Sequence, residues 1–217
     1  MTPRILSLLI GYCFGLFQTA YIYGRAHGVD IRTVGSGNAG TTNTLRTFGK
    51  TAGLVVFIGD CLKAILASVC VWAIFHNSYP EIMPCLRLYA GLGCIAGHNY
   101  PFYMKFKGGK GVACTAGLIM SFSWQLTLVG IFVFFIALGL THYVSLASLL
   151  LGAEFMIGTI FMGKMGLFHM AQANLMELYV LVAIVVGQMY VRHAGNIGRL
   201  KNGTERKTYF FSKGKNT

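Results

Sequence analysis

Residues 5–23, 53–75, 85–103, 143–163 and 174–191 are each apolar over about the length a helix needs to cross the hydrocarbon of a bilayer, ~20 residues for ~30 Å. Nothing else in the chain constrains its fold as strongly. Backbone groups in lipid must be satisfied without water, which leaves only helices or closed barrels. Long continuous apolar runs, rather than short alternating ones, select helices. Composition agrees, because 55% of the residues are hydrophobic and 11% charged, against roughly 25% charged in an ordinary soluble domain. The fold expected is an all-α integral membrane protein forming one domain over residues 1–217, with a flexible basic tail at 206–217.

A sixth apolar piece, residues 112–140, would run about 43 Å as one straight helix, well beyond the hydrocarbon. Its middle, SFSWQ at 121–125, is polar and holds a Trp, the mark of an interfacial turn. Two shorter helices are therefore expected, giving seven crossings in all. Seven crossings put the loops after spans one, three, five and seven on one side, and the charges agree. Fourteen of the 18 Lys and Arg fall there: Arg25, Arg32, Arg46 and Lys50, then Lys105, Lys107 and Lys110, then seven in the segment after residue 191. The positive-inside rule makes that side cytoplasmic and sets the N-terminus outside. The first span has no small-x-small cleavage site and reads as retained. Residues 112–122 make only about 17 Å of helix, so the GGKG turn before them must dip below the membrane surface. That presents free backbone N–H groups to an anion.

The net charge of +12 raises a nucleic-acid partner. The cations are interleaved with spans rather than laid along a soluble face, which argues against one. The six cysteines form no CxxC pair and have no His cluster beside them, so neither a zinc site nor a disulfide framework is expected. The loops have no carboxylate cluster, and the sequence demands no metal or cofactor.

Three polar segments share the basic side. In the first, GSGNAGTTNTLRTFGK at 35–50, Gly37 and Gly40 let the backbone approach an anion. Ser36, Asn38, Thr41, Thr42 and Asn43 offer hydroxyls and amides, and Arg46 adds a fork suited to phosphate. A glycine-rich connection with a helix cap explains the same residues equally well. The second, at 97–111, holds His98, then Lys105, Lys107 and Lys110 among Gly108, Gly109 and Gly111. It is not a Walker A loop, and snorkelling lysines would not need the glycines. In the third, at 192–207, His193 and Asn196 lie three apart, so one further turn of the last helix would put both on one face. Ser145, in THYVSLAS at 141–148, adds a hydroxyl or caps a helix.

Inside the membrane Asp60 and Lys63 share a helix face, so they must pair or face a wet cavity. Glu154, deep in the sixth span, has no evident partner. Gly11-x-x-x-Gly15 and Gly93-x-x-x-Gly97 read as helix-contact faces.

Taken together, GSGNAGTTNTLR, GHNYPFYMKFKGGKGVA and RHAGNIGRLKNGTE, with GDCLKA and YVSLAS between them, resemble the bacterial acyl-phosphate:glycerol-3-phosphate acyltransferase family over nearly the whole chain. Small departures are Thr41 where that family commonly has Ala, Cys114 where Thr is usual, and Ala64 where Gly is usual. The resemblance implies an enzyme of the inner membrane with its site on the cytoplasmic face. It would transfer a fatty acyl group from acyl phosphate to the 1-hydroxyl of glycerol-3-phosphate, giving lysophosphatidic acid and phosphate, the first acylation of phospholipid synthesis. It also implies catalytic or substrate roles for Ser36, Arg46, Lys107, His193 and Asn196, a polar contact from Ser145, and an acyl-phosphate site around His98, Gly109, Lys110 and Gly111. An acyl-phosphate-producing enzyme is a candidate partner for the basic tail.

No Asp stands five residues after any His, so the HxxxxD pair of other glycerolipid acyltransferases is absent. The proton acceptor is then either a substrate phosphate or His193. A transporter for a phosphorylated solute is the rival reading, and the one-sided motifs and missing internal repeat argue against it. A CDP-alcohol phosphotransferase would need a run of aspartates, and the chain has only Asp30 and Asp60.

Overall fold

The structure, a computed structural model, describes residues 3–209, and no strand occurs among them. The helices are α1 Pro3–Gly15, α2 Thr19–Ala26, α3 Thr41–Phe48, α4 Lys50–Phe75, α5 Met83–Asn99, α6 Val112–Phe122, α7 Trp124–Thr141, α8 Val144–Lys164, α9 Gln172–Arg192 and α10 Ala194–Lys201. Five segments among the described residues are long and apolar enough to cross a membrane: Pro3–Ala26, α4, α7, α8 and α9. Of the other two expected spans, α5 has 17 residues and α6 has 11.

Helix α5 is the hub, contacting α1, α4, α6 and α9 and burying Leu86, Leu88, Ala90, Cys94 and Ile95 completely or nearly so. Helix α7 is the opposite, exposing Phe132, Phe135, Ile136 and Leu140. An apolar outer surface of that extent suits lipid rather than water.

The two small-residue faces meet each other. A Cβ on Gly11 would strike the Ala90 carbonyl, one on Gly15 would strike the Cys94 carbonyl, and one on Gly93 would strike the Leu8 carbonyl. Backbones packed this closely gain dispersion contacts along the whole α1–α5 seam, which drives association where lipid removes the hydrophobic incentive.

The first span is not one helix, as the apolar run at 5–23 suggested. It breaks at residues 16–18, between α1 and α2. At the break Gln18 is fully buried, and the two Nε2 protons are shared among the carbonyls of Gly15, Gly97 and His98. The long apolar piece at 112–140 does divide, at Ser123, whose extended backbone ends α6 and whose hydroxyl accepts the N–H of Leu126 to start α7. At the opposite end of the bundle from the three polar segments, Arg4 grips Glu177 with both Nε (2.6 Å) and Nη2 (2.8 Å), tying α1 to α9. Both Glu154 carboxyl oxygens, between Gly130 and Gly158, have no hydrogen-bond partner among the described residues.

Candidate active site

In the first segment Asn43 acts as a staple. Its Oδ1 accepts the N–H of Ser36 at 2.8 Å, and its Nδ2 donates to the carbonyls of Ile31 and Val34 at 3.0 Å. Its amide is thereby engaged in shaping the loop, and the buried side chain still borders the cavity. Gly40, the N-cap of α3, offers no side chain, so the first N–H groups of α3 are uncapped. Thr41 and Thr42 sit on that turn, and the Thr41 hydroxyl has no partner among the described residues. Ser36, Gly37, Asn38, Gly40, Thr41 and Thr42 border one cavity.

The second segment folds back on the end of α5, with Gly108 N–H on the Asn99 carbonyl and Gly109 N–H on the His98 carbonyl, both at 3.1 Å. A Cβ on Gly109 would collide with His98 Nε2 and the Ala39 carbonyl, so this position is glycine for close approach. It packs the turn and does not itself border the cavity. Gly111 has φ +77°, the left-handed region, and caps α6 without a side chain. The N-terminus of α6 therefore also opens on the cavity, through Gly111, Val112 and Ala113. Such ends bind anions with N–H groups and a partial positive charge.

In the third segment α9 stops at Arg192 and α10 starts at Ala194. The continuing turn expected for His193 and Asn196 is replaced by a bend at His193, yet both side chains are buried and border the cavity. His193 Nδ1 donates to the Met189 carbonyl at 2.8 Å, which leaves Nε2 as a bare acceptor. Burial pushes its pKa down to about 4; the hydrogen bond to Met189 opposes this, and nearby Lys110 and Arg192 add to it.

Several working residues escaped the sequence reading. Arg192 donates Nε (3.1 Å) and Nη2 (2.8 Å) to the Gly109 carbonyl and locks the third segment to the second. Glu205 accepts from Ser145 Oγ (2.8 Å), Asn196 Nδ2 (2.6 Å) and Arg199 Nε (2.7 Å). Burial pushes its carboxyl up, but those three donors outweigh it and hold the pKa below the usual value. With Nδ2 turned to Glu205, Asn196 points Oδ1 at Lys110 Nζ. The signal was a lone carboxylate in a basic segment.

The tail is not free where it is described. Arg46 Nη2 donates to Thr208 Oγ1 (2.7 Å) and to the Arg206 carbonyl (3.2 Å), and Thr208 N–H donates to the His142 carbonyl (2.8 Å). Thr208 is 1% exposed. Up to residue 209 the segment expected to be flexible thus straps the mouth of the site, because Arg46 and Glu205 supply non-local partners; the remainder of that expectation, residues 210–217, lies outside the described residues.

The cavity measures about 1540 Å³. Ser36 and Lys107 are exposed at its edge, with His98, Lys110, Ser145, His193 and Asn196 further in. From this polar end an apolar groove continues between α6, α7 and α8, lined by Met120, Ile131, Phe134, Leu138 and Leu151. Nine Lys or Arg border the cavity against three carboxylates, so it attracts anions. Asp60, His98 and Cys114 bring ligand atoms within 4.8 Å of one another. The Lys63 ammonium already fills the cation position there, 2.8 Å from Asp60 Oδ1 and 2.9 Å from His98 Nδ1.

Burial pushes the Lys110 pKa down to about 8; Glu205 opposes this, while Arg199, Arg192 and Arg46 reinforce it. If its charge binds phosphate, kcat/KM for a phosphorylated substrate falls as pH rises through about 8. Lys110→Arg, which keeps the charge, is expected to move that fall to higher pH; an unmoved alkaline limb would show that another group titrates.

A family model for glycerol-3-phosphate acyltransferase matches residues 5–203. A glycerol-3-phosphate acyltransferase of Clostridioides difficile is 39% identical over 205 residues, 94% of each chain. Glycerol-3-phosphate acyltransferase 3 of Bacillus anthracis is 36% identical over 217 residues, covering 99% of this chain and all of that one. Among solved structures, the glycerol 3-phosphate form of PlsY (YgiH), described as an integral membrane glycerol 3-phosphate acyltransferase, superposes with a TM-score of 0.81 at 28% identity over 96% of both chains. Its lysophosphatidic acid form gives 0.78 at 27% identity over the same shares. The chain therefore belongs to the glycerol-3-phosphate acyltransferase family of integral membrane enzymes.

Proposed function

We propose that the enzyme transfers a fatty acyl group from acyl phosphate to the 1-hydroxyl of glycerol-3-phosphate, releasing lysophosphatidic acid and inorganic phosphate. One observation carries this reading: two uncapped helix N-termini, those of α3 and α6, open on the same cation-rich cavity, and an apolar groove leaves it between α6, α7 and α8. Two anion cradles match two phosphate-bearing substrates, and the groove matches the acyl chain. The solved relatives described as glycerol 3-phosphate and lysophosphatidic acid forms support the acceptor and the product.

The hydroxyl oxygen attacks the acyl carbonyl carbon, the bond from that carbon to the bridging phosphate oxygen breaks, and phosphate departs with the electron pair. An acyl phosphate is an activated mixed anhydride, so orientation and stabilisation of the leaving phosphate supply most of the barrier reduction. Lys107, Lys110 and the α6 N-terminus serve the donor phosphate, while Ser36, Arg46 and the α3 N-terminus serve the acceptor. The bare Nε2 of His193 and the amide of Asn196 orient the hydroxyl, and its proton passes to a substrate phosphate.

The same reading gives seven crossings, with α5 and α6 completing the count. The N-terminus is outside and the site lies at the cytoplasmic face of the inner membrane, supported by the fourteen Lys and Arg on that side. An acyl-phosphate-producing enzyme would meet the basic tail there.

Purified protein in detergent, given acyl phosphate and glycerol-3-phosphate, is expected to release phosphate only when both are present. Acylation from a thioester donor alone would overturn the donor assignment, and uptake into liposomes without phosphate release would favour transport.

A further inference from the structure

The break between α1 and α2 exposes chain to a buried polar network that the reaction scheme above does not use. Lys63, 4% exposed on α4, donates to three acceptors: the carbonyl of Phe17 in the break (2.7 Å), Asp60 Oδ1 (2.8 Å) and His98 Nδ1 (2.9 Å). All three ammonium protons are thereby used. Asp60, 1% exposed, takes a further hydrogen bond from Thr19 Oγ1 at the first residue of α2 (3.0 Å). One carboxylate and one ammonium balance, which is what a burial this deep requires.

An ammonium only donates, so His98 Nδ1 must accept, and the ring proton resides on Nε2. That second nitrogen has no hydrogen-bond partner among the described residues, although His98 is 3% exposed. Its ring borders the cavity and lies against Gly109, beside the open N-terminus of α6.

We propose that Asp60 and Lys63 are positioning residues that hold His98 with its Nε2–H turned into the cavity, where it donates to an oxygen of the acyl phosphate. This rests on the function proposed above and extends its donor subsite by one oriented hydrogen bond. The break in the first span follows from the same requirement, since it supplies both the Phe17 carbonyl and the Thr19 hydroxyl. A pair serving stability alone would need neither His98 Nδ1 nor a vacant Nε2–H. A donor aimed at the leaving phosphate or the carbonyl oxygen acts on the chemical step more than on acceptor binding.

The test combines nitrogen NMR of imidazole-labelled protein in detergent, with the His98 signal assigned through His98→Gln, and steady-state kinetics. In the unaltered protein Nδ1 is expected to be bare and Nε2 protonated, with the Nε2 signal shifting when a non-hydrolysable acyl phosphonate is added. The neutral double variant Asp60→Asn/Lys63→Met leaves no uncompensated buried charge. It is expected to mix the two ring tautomers and lower kcat ~10-fold or more, the lower end of what losing one aimed donor costs. KM for glycerol-3-phosphate should stay within about twofold by the same reasoning, and Lys63→Arg, which keeps the donor, should restore both tautomer and rate. A folded double variant with unchanged kcat, a proton on Nδ1 in the unaltered protein, or no Nε2 response to the phosphonate would each overturn the proposal. The ring and phosphonate measurements need no folded variant of Asp60 or Lys63, only His98→Gln for the assignment. Failure of the acyltransferase reading is seen separately, as absent phosphate release from the unaltered enzyme.

Discussion

Arg46→Ala is expected to lower kcat/KM for glycerol-3-phosphate by about 10²-fold or more, the scale of removing one preorganised charged donor. Arg46 borders the cavity on α3 and is partly buried, and burial pushes its pKa down, with neighbouring Arg206 and Arg199 adding to this and Glu205 opposing it. A guanidinium remains charged regardless, so the site keeps a fixed cation where a lysine would titrate. The side chain also holds the strap, through Nη2 to Thr208 Oγ1 and the Arg206 carbonyl. Thr208→Val removes one tether and keeps the charge, so it is expected to cost less than about tenfold, since a single neutral hydrogen bond contributes ~1 kcal/mol. Arg46→Lys keeps charge without the fork and should fall between the two. Steady-state kinetics on the three variants separates charge from tether, and normal kinetics in Arg46→Ala would remove this residue from the site.

The span pattern was legible because lipid imposes it: length, apolar continuity and the turn at residues 121–125 are local properties, and α6 and α7 divide at Ser123 accordingly. The break at residues 16–18 was not legible, because a buried Gln is tolerable there only through carbonyls of Gly97 and His98, some eighty residues away. The same holds for the tail. Its run of cations suggests solvation, yet Glu205 and Thr208 find partners on α8, α10 and α3 that no local pattern announces. The glycine-rich segments suggested anion loops, but not which of their residues would shape the backbone. Asn43 and Gly109 shape the loops, whereas the N–H groups beside them face the cavity. Asp60 and Lys63 were legible as a pair or as charges facing a wet cavity, because charge in a span must be compensated; the pairing and its link to His98 appear only once α4 and α5 pack.

His193→Gln is expected to lower kcat by ~10- to 10²-fold, the loss of an orienting acceptor, while leaving the acidic limb of the pH–rate profile near 6, where a phosphate monoester loses its second proton. The geometry favours this outcome over general-base catalysis by the imidazole. Nε2 is unprotonated at neutral pH and able to accept, but a pKa of about 4 makes it a poor resting place for a proton. Relative to an ordinary imidazole, transfer to it is less favourable by about 3 kcal/mol, at 1.36 kcal/mol per unit. A substrate phosphate stands better placed in basicity, since its second pKa lies near the operating pH, where general-base efficiency is greatest. If His193 were the base, the unaltered enzyme would show its acidic limb near 4, and the variant would lose that limb with nearly all turnover, ~10⁴-fold at the upper end for acid–base catalysis. The position of the limb, read in enzyme with and without the imidazole at matched acceptor saturation, therefore assigns the proton.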